Sequence, residues 1–375
     1  MADTDTAELV CDKGKADAIA RRAAGDVGLA HAEVDAIKGF LIVAIVAGHN
    51  TLLTGNIRNL FDVLYSFHVY GFLLLPFLFA AKPLSGRSIA DRAVRYLVPY
   101  AVFYMAASVL YLVMYRRADA ISAWGWDVVA GLAVASPTML QKASGFQLFW
   151  FLPTLFSLTL FWSVYSGLNT RARVAVFAVL CLLQPAVVAV AWARYVPFGM
   201  AIVVHVAPMG MVAAWLWTRY LSRRPGTVAV VFGAAFVMMV TVMLWLGGSV
   251  DIYGKKSPGV LLVHQTTAMV AFLAILGLGP VFGKTGILVA LGKASMLIYL
   301  MHSMVYQACL QVSGKVGLMQ RFAGSGVMLG LVFLVVSLLV CMGVKYLIDA
   351  IPVLRRTICP RGVEEWTVTA RLGKR

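Results

Sequence analysis

Five of the six histidines lie inside long apolar runs of the sequence: His49, His68, His205, His264 and His302. Ionisable side chains are costly inside a bilayer, so each of them is a candidate functional residue. A helix rises about 1.5 Å per residue, and with the run directions derived below all five are predicted to lie in the outer half of the membrane. This shared depth favours a common polar cavity. For any one of them, a histidine that packs and hydrogen-bonds at a helix contact is an equally good interpretation.

The first apolar run pairs a cation with a histidine. Lys38 and His49 are 11 residues apart. At about 100° per residue they lie roughly 20° from a common helix face and about 16 Å apart along it. Lys38 is predicted to lie at the cytoplasmic mouth of this face, and His49 is a possible base at its deep end. For Lys38 alone, a lysine that snorkels from the end of a span is the simpler interpretation, and only its phase relation to His49 argues against it.

The ninth apolar run carries a polar stripe. Ser295, Tyr299, His302 and Tyr306 follow one another at steps of four, three and four residues. These steps place the four side chains on one helix face. Lys293 is nine residues before His302, half a turn out of phase, so we do not expect it to join the stripe.

Membrane helices must position these side chains. The chain has 375 residues, of which 61% are apolar and 13% charged, and its mean hydropathy is +0.85. A soluble domain carries about 25% charged residues, so this composition excludes a soluble or disordered chain. The five cysteines form no CxxC pair and no metal-ligand spacing. We therefore expect neither a disulfide framework nor a metal site.

Ten apolar runs have the length of a membrane span, which is about 20 residues. They lie near 37–53, 62–81, 96–115, 146–166, 174–192, 198–218, 227–246, 259–282, 286–310 and 326–346. The predicted fold class is an all-α integral membrane protein, a bundle of about ten transmembrane helices. The predicted domains are a cytoplasmic tail at 1–35, a membrane domain at 36–346 and a basic cytoplasmic tail at 347–375.

The distribution of basic residues sets the predicted orientation. The net charge is +16, and with a cytoplasmic N-terminus 21 of the 32 Lys and Arg residues fall in inner segments and nine in outer ones. By the positive-inside rule, both termini are predicted to be cytoplasmic. The lipid bilayer accounts for this charge, so no nucleic-acid partner is needed. The longest outer segment, 116–145, is predicted either to be an interfacial helix anchored by Trp124 and Trp126 or to be a lid over an outer site.

Five stretches resemble the acyltransferase 3 family of integral membrane O-acyltransferases, in particular its fucose 4-O-acetylase-like branch. In chain order they are DAIKGFLIVAIVAGHN, SFHVYGFLLLPFLFA, DRAVRYLVPYAVFY, FWFLPTLF and LGKASMLIYLMH, from about 35 to 302. The family usually has Arg where this chain has Lys38, and lysine keeps the charge but not the guanidinium fork. The second stretch also reads VYGFLLL, where the family often has a proline and a run of phenylalanines.

The resemblance implies transfer of an acyl group, usually acetyl, from a cytoplasmic coenzyme A thioester to a carbohydrate hydroxyl. Acetyl-CoA would be a co-substrate, with no permanently bound cofactor, and the protein would lie in a bacterial inner membrane. We expect His49 to be the general base, with His68 and His302 as further catalytic candidates. Lys38, Arg92 and Arg95 would bind the anionic donor. The candidates for the oxyanion or the acceptor are Tyr299, Ser295 and Asn50. The oligomeric state is left open.

Two other classes of function compete with this interpretation. A transporter or flippase of a glycan or lipid-linked glycan would also need an outward polar cavity, but it would move its substrate without consuming acyl-CoA. A haem or quinone protein would use imidazoles at matched depth, yet the sequence shows no pair of helices that each carry two well-spaced histidines.

Overall fold

The computed structural model describes residues 28–115, 121–189, 196–246, 258–322 and 324–366. Within these ranges every regular element is helical and no strand occurs. The predicted all-α fold class is therefore confirmed. Most of the predicted N-terminal tail and the last nine residues of the predicted C-terminal tail, 1–27 and 367–375, lie outside the described residues. The domain boundaries stay predictions.

The helices are numbered in chain order. They are α1 His31–Gly48, α2 Thr51–Asn56, α3 Leu60–Tyr65, α4 His68–Leu74, α5 Gly86–Tyr115, α6 Ile121–Val134, α7 Pro137–Ser144, α8 Phe151–Gly167, α9 Thr170–Ala189, α10 Met200–Leu216, α11 Pro225–Trp245, α12 Pro258–Phe282, α13 Gly286–Lys315, α14 Leu318–Arg321, α15 Gly326–Ala350 and α16 Pro352–Ile358. Short 3₁₀ turns at Leu75–Leu78, Leu148–Trp150 and Pro197–Gly199 extend α4, α8 and α10.

Nine helical segments within the described ranges are long and apolar enough to cross a membrane. They are Leu60–Leu78, Gly86–Val113, Leu148–Gly167, Thr170–Val187, Pro197–Leu221, Pro225–Trp245, Val260–Phe282, Gly286–Lys315 and Gly326–Ala350. The first predicted span corresponds to α1, which is 18 residues long and carries Glu33, Asp35 and Lys38 in its first half. These charges keep α1 out of the count of nine, although its length of about 27 Å is close to that of a span.

Helices α1 and α13 meet backbone to backbone at the centre of the bundle. A side chain on Gly39 would overlap the carbonyl oxygen of Leu288, and one on Gly292 would overlap that of Asp35. Small residues at such contacts let membrane helices approach closely. His49 and His302 each follow their glycine by ten residues. Because the helices run in the same direction, this register brings the two imidazoles to the same level.

The shared direction of α1 and α13 agrees with the predicted topology, in which the first and ninth spans both run outward. Helix α12 ends at Phe282 and α13 begins at Gly286, so the predicted junction at Gly283–Lys284 is the turn between them. Which membrane face is cytoplasmic stays a prediction.

The segment 121–145 forms a helical hairpin that packs along α5. The Tyr100 hydroxyl donates to the carbonyl oxygen of Gly131 at 2.8 Å, and the Tyr104 hydroxyl donates to that of Val128 at 3.3 Å. Tyr100 lies about 21 Å along α5, so α6 reaches the middle of that helix rather than lying across its end. Whether this segment is an interfacial helix or a lid over an outer site stays a prediction.

The turn chemistry of this hairpin follows from the sequence. Ser136 caps the N-terminus of α7 by accepting the Met139 N–H, and Pro137 takes the first helical position, where no backbone donor is needed. Gly145 ends α7 in the left-handed region, at φ 75°, which favours glycine. The chain then enters the turn before α8, and this turn borders the candidate site.

Candidate active site

Three histidines and a tyrosine form a cluster where α1 ends. The His49 and His302 ring centroids are 5.2 Å apart, and the Tyr65 hydroxyl lies 3.3 Å from His49 Nδ1. The Tyr65 ring meets the His68 ring edge-on with centroids 4.6 Å apart. A Cβ on Gly48 would lie 3.3 Å from the Tyr65 ring, so a glycine directly before His49 leaves room for the Tyr65 side chain. We call His49, Tyr65, His68 and His302 the histidine cluster.

Backbone carbonyls fix the tautomers of two of these histidines. His302 Nδ1 lies 2.8 Å from the carbonyl oxygen of Tyr299 and 3.0 Å from that of Ile298. His68 Nδ1 donates to the carbonyl oxygen of Leu64. Because a carbonyl only accepts, both Nδ1 atoms carry hydrogen and each Nε2 carries the lone pair.

The two lone pairs differ in their surroundings. Ser303 Oγ lies 3.1 Å from His302 Nε2 and can donate to it. His68 Nε2 is buried and has no hydrogen-bond partner among the described residues. Unsatisfied buried polar atoms are uncommon in folded proteins, so each one calls for an explanation.

His49 differs from His68 and His302 in being half-buried and in bordering a cavity of about 650 Å³. Its Nδ1 faces a hydroxyl group, which both donates and accepts, instead of a carbonyl. The walls of this cavity, which we call the histidine cavity, are rich in phenol, amide and hydroxyl groups. Its polar lining residues include Tyr65, Tyr111, Gln147, Ser303, Tyr306, Gln307 and Gln311.

A second cavity, of about 420 Å³, is lined by the basic residues that the sequence predicts for donor binding. We call it the basic cavity. Its charged and polar lining includes Lys38, Lys82, Asp91, Arg92, Arg95, Ser295 and Tyr299, and its apolar lining includes Phe72, Phe79, Phe151 and Trp162. Five of the nine predicted site residues therefore lie on one cavity, and three more belong to the histidine cluster.

The cations of the basic cavity are only partly satisfied by the protein. Lys38 pairs with Asp35 at 2.6 Å, one turn away on α1. Arg92 Nη2 donates to Ser163 Oγ at 2.7 Å, whereas Arg92 Nη1 is buried and finds no partner among the described residues. A buried guanidinium N–H of this kind is a ready donor for an anionic ligand.

One hydrogen bond joins the walls of the two cavities. Tyr299, on the basic cavity, donates its hydroxyl hydrogen to the carbonyl oxygen of Leu148 at 2.6 Å, and Leu148 lines the histidine cavity. The Tyr299 ring packs against Phe151 with centroids 4.6 Å apart, and its centroid lies 6.0 Å from that of His302. Tyr299 therefore stands between the cations and the histidine cluster.

Asn50 lies apart from both cavities. Its side-chain amide donates to the carbonyl oxygen of Gly330 at 2.7 Å, and its Oδ1 accepts the Leu53 N–H at 3.1 Å. Asn50 thus caps α2 and ties the end of α1 to α15. This fixes the chain directly after His49.

Tyr65 is a site residue that the sequence reasoning missed. Its one sequence signal is its position three residues before His68, a spacing that would place Tyr65 and His68 on one face of a continuous helix. The short α3 ends at Tyr65, so this signal is interrupted by a turn.

The remaining two membrane histidines form a separate network. The Tyr70 hydroxyl lies 2.8 Å from His205 Nε2 and 3.4 Å from His264 Nδ1. Gln265 Nε2 lies 3.1 Å from His205 Nδ1. The prediction of a common cavity for all five histidines is therefore wrong, because they divide into two clusters.

The fold and these cavities define an integral membrane protein with a polar interior. Its sequence matches the family model described as an acyltransferase domain over residues 31–346, from the first residue of α1 into α15. The chain therefore belongs to the acyltransferase 3 family, and it is a membrane acyltransferase. Searches of the curated proteins and of the solved structures give no significant match.

Proposed function

We propose that this protein transfers an acyl group, acetyl in the first instance, from acyl-CoA to a hydroxyl of a carbohydrate, as in the fucose 4-O-acetylase-like branch of its family. The observation that carries the proposal is the arrangement of the two cavities. Lys38, Arg92 and Arg95 line the basic cavity, and Tyr299 links its wall to that of the histidine cavity. The setting we propose is the inner membrane of a bacterium.

The basic cavity suits the donor. Coenzyme A carries several phosphate charges on a nucleotide and a long, narrow arm that ends in the thioester. Lys38, Lys82, Arg92 and Arg95 would bind the phosphates, and the unpartnered Arg92 Nη1 would gain a charge-assisted hydrogen bond. The aromatic lining would hold the arm and direct the thioester towards Tyr299.

The histidine cavity suits the acceptor. Its volume of about 650 Å³ lies within the range of pockets that bind small molecules. Amide and phenol groups such as Gln147, Gln307 and Tyr111 can donate to and accept from sugar hydroxyls. The acceptor we propose is a sugar unit of a cell-surface polysaccharide, an oligosaccharide or a lipid-linked sugar.

The histidine cluster would supply the general base. In our scheme His49 Nδ1–H donates to the Tyr65 oxygen, and His49 Nε2 removes the proton of the acceptor hydroxyl as its oxygen attacks the thioester carbonyl. The tetrahedral intermediate expels the coenzyme A thiolate, which takes the proton back from the imidazolium. The Ser295 hydroxyl is a candidate oxyanion donor, and the Tyr299 hydroxyl is a second one that would have to exchange its hydrogen bond to Leu148 for one to the oxyanion. His68 and His302 are the alternative bases, since each presents an Nε2 lone pair.

The test is an acetyl-transfer assay on the purified protein, combined with mass spectrometry of surface glycans from cells with and without the gene. We expect release of free coenzyme A that depends on the acceptor, and loss of glycan acetylation when the gene is deleted. Movement of a glycan across vesicles without release of coenzyme A would contradict the proposal and support a transporter or flippase.

A further inference from the structure

The C-terminal segment Arg361–Glu365, which we call the strap, lies along the first turns of α5. It meets three side chains of α5 that are spaced four residues apart and therefore share one face: Arg87, Asp91 and Arg95. Two of these, Asp91 and Arg95, line the basic cavity. The strap thus joins the end of the chain to the site that we propose for the donor.

The contacts between the strap and the two cavity residues are made by the strap backbone. Asp91 Oδ1 accepts the Val363 N–H at 2.9 Å. Arg95 Nε and Nη2 donate to the Arg361 carbonyl oxygen at 3.3 and 3.0 Å. A Cβ on Gly362 would lie 2.7 Å from Asp91 Oδ1, so glycine permits this close approach.

Ion pairs hold the strap in place. Glu364 pairs with Arg87 on α5, and Glu365 pairs with Arg355 at 2.6 Å. Glu365 also accepts the Arg361 N–H at 2.9 Å. Burial raises the pKa of Glu365, but the hydrogen bonds and the nearby arginines outweigh this effect and hold its pKa below the usual range. Glu365 is therefore charged at neutral pH.

The strap keeps apart two residues whose spacing favours pairing. An acidic residue four positions before a basic one lies on the same helix face and is close enough to pair with it. Among the described residues, however, no ion pair joins Asp91 to Arg95, and each is instead engaged by a backbone group of the strap. These backbone groups carry no net charge, so Arg95 keeps its positive charge available to the cavity.

We propose that the strap is a positioning element of the donor site: it holds Asp91 away from Arg95 and thereby leaves Arg95 to bind a phosphate of acyl-CoA. This inference rests on the proposed function of the basic cavity as the donor site. The strap residues themselves do not touch the reacting atoms.

The test removes one hydrogen bond from the full-length protein. Val363→Pro deletes the N–H that Asp91 accepts, at the first residue of a short helical turn, where proline is tolerated. Val363→Ala keeps the N–H and is the matched control. We expect Val363→Pro to raise the KM for acetyl-CoA and the Kd for coenzyme A about threefold to tenfold, with kcat unchanged. Val363→Ala should behave like the original protein.

A second substitution separates positioning from general damage. In the Val363→Pro background, Asp91→Asn removes the charge that would neutralise Arg95, so the affinity for coenzyme A should return. An unchanged Kd in Val363→Pro, or no recovery in the double variant, would overturn the proposal for the strap. Lys38→Ala serves as the reference for the cavity itself. If Lys38→Ala also binds coenzyme A normally, the basic cavity is not the donor site. That result would contradict the proposed function itself, and not only the role of the strap.

Discussion

The two histidine clusters lie on opposite sides of one short helix, α4. His68 begins α4 and belongs to the histidine cluster, whereas Tyr70 belongs to the second network. Residues two positions apart on a helix point about 200° away from each other, so α4 contributes to both clusters without joining them. Both clusters combine buried imidazoles with a tyrosine hydroxyl.

They differ in their access to open space. Both ring nitrogens of His205 have partners, Tyr70 on one side and Gln265 on the other, and His205 and His264 are both buried. In the histidine cluster, His49 is half-buried and borders a cavity of about 650 Å³. Buried imidazoles alone therefore do not mark the site, whereas an imidazole beside a cavity does.

The largest expected difference between the two clusters is the loss of activity when His49 or His205 is replaced. His49→Ala should lower kcat for acetyl transfer about 10²–10⁴-fold, because it removes the side chain that we propose as the general base. His205→Ala should cost much less activity. The measurement is acyl transfer at saturating acetyl-CoA with matched amounts of monodisperse protein. Near-normal turnover in His49→Ala would move the search for the base to His68 or His302.

The next largest effect is expected from substitutions in the basic cavity, and it should change donor binding instead of turnover. Lys38→Ala should raise the KM for acetyl-CoA about tenfold, since it removes the charge-assisted contact to phosphate that we propose for Lys38. Lys38→Arg should be tolerated or should improve binding, because the guanidinium keeps the charge and adds donors. Isothermal titration with coenzyme A measures both. Unchanged affinity in Lys38→Ala would mean that Lys38 only pairs with Asp35 at the end of α1.

The sequence predicts well which side chains share one face of a helix, but it predicts poorly which helices pack against each other. The phase of Lys38 and His49 on α1, and the stripe on α13, follow from helical periodicity alone. Periodicity does not say that His205 faces Tyr70 instead of His68, since depth along the membrane is similar for both. Nor does it reveal Tyr65, whose contact with His49 depends on the turn between α3 and α4 and on the space left by Gly48.

A smaller effect tests the tyrosine of the histidine cluster. Tyr65→Phe keeps the ring but removes the hydroxyl that lies 3.3 Å from His49 Nδ1. If Tyr65 orients the imidazole and fixes its tautomer, kcat should fall about threefold to tenfold while the KM for acetyl-CoA stays unchanged. A parallel rise in KM, or unchanged kcat, would count against an orienting role.

The smallest effect on activity is expected from the matching change in the second network. Tyr70→Phe removes the hydroxyl shared by His205 and His264, both buried, and leaves their ring nitrogens without that partner. The loss should appear as stability, about 1–3 kcal/mol in the free energy of unfolding, because unsatisfied polar atoms are costly in a dry interior. Thermal unfolding in detergent, run beside the transfer assay, compares Tyr70→Phe directly with Tyr65→Phe. A loss of kcat as large as that of Tyr65→Phe, without a change in stability, would show that the second network takes part in the reaction and that the division into two clusters has no functional meaning.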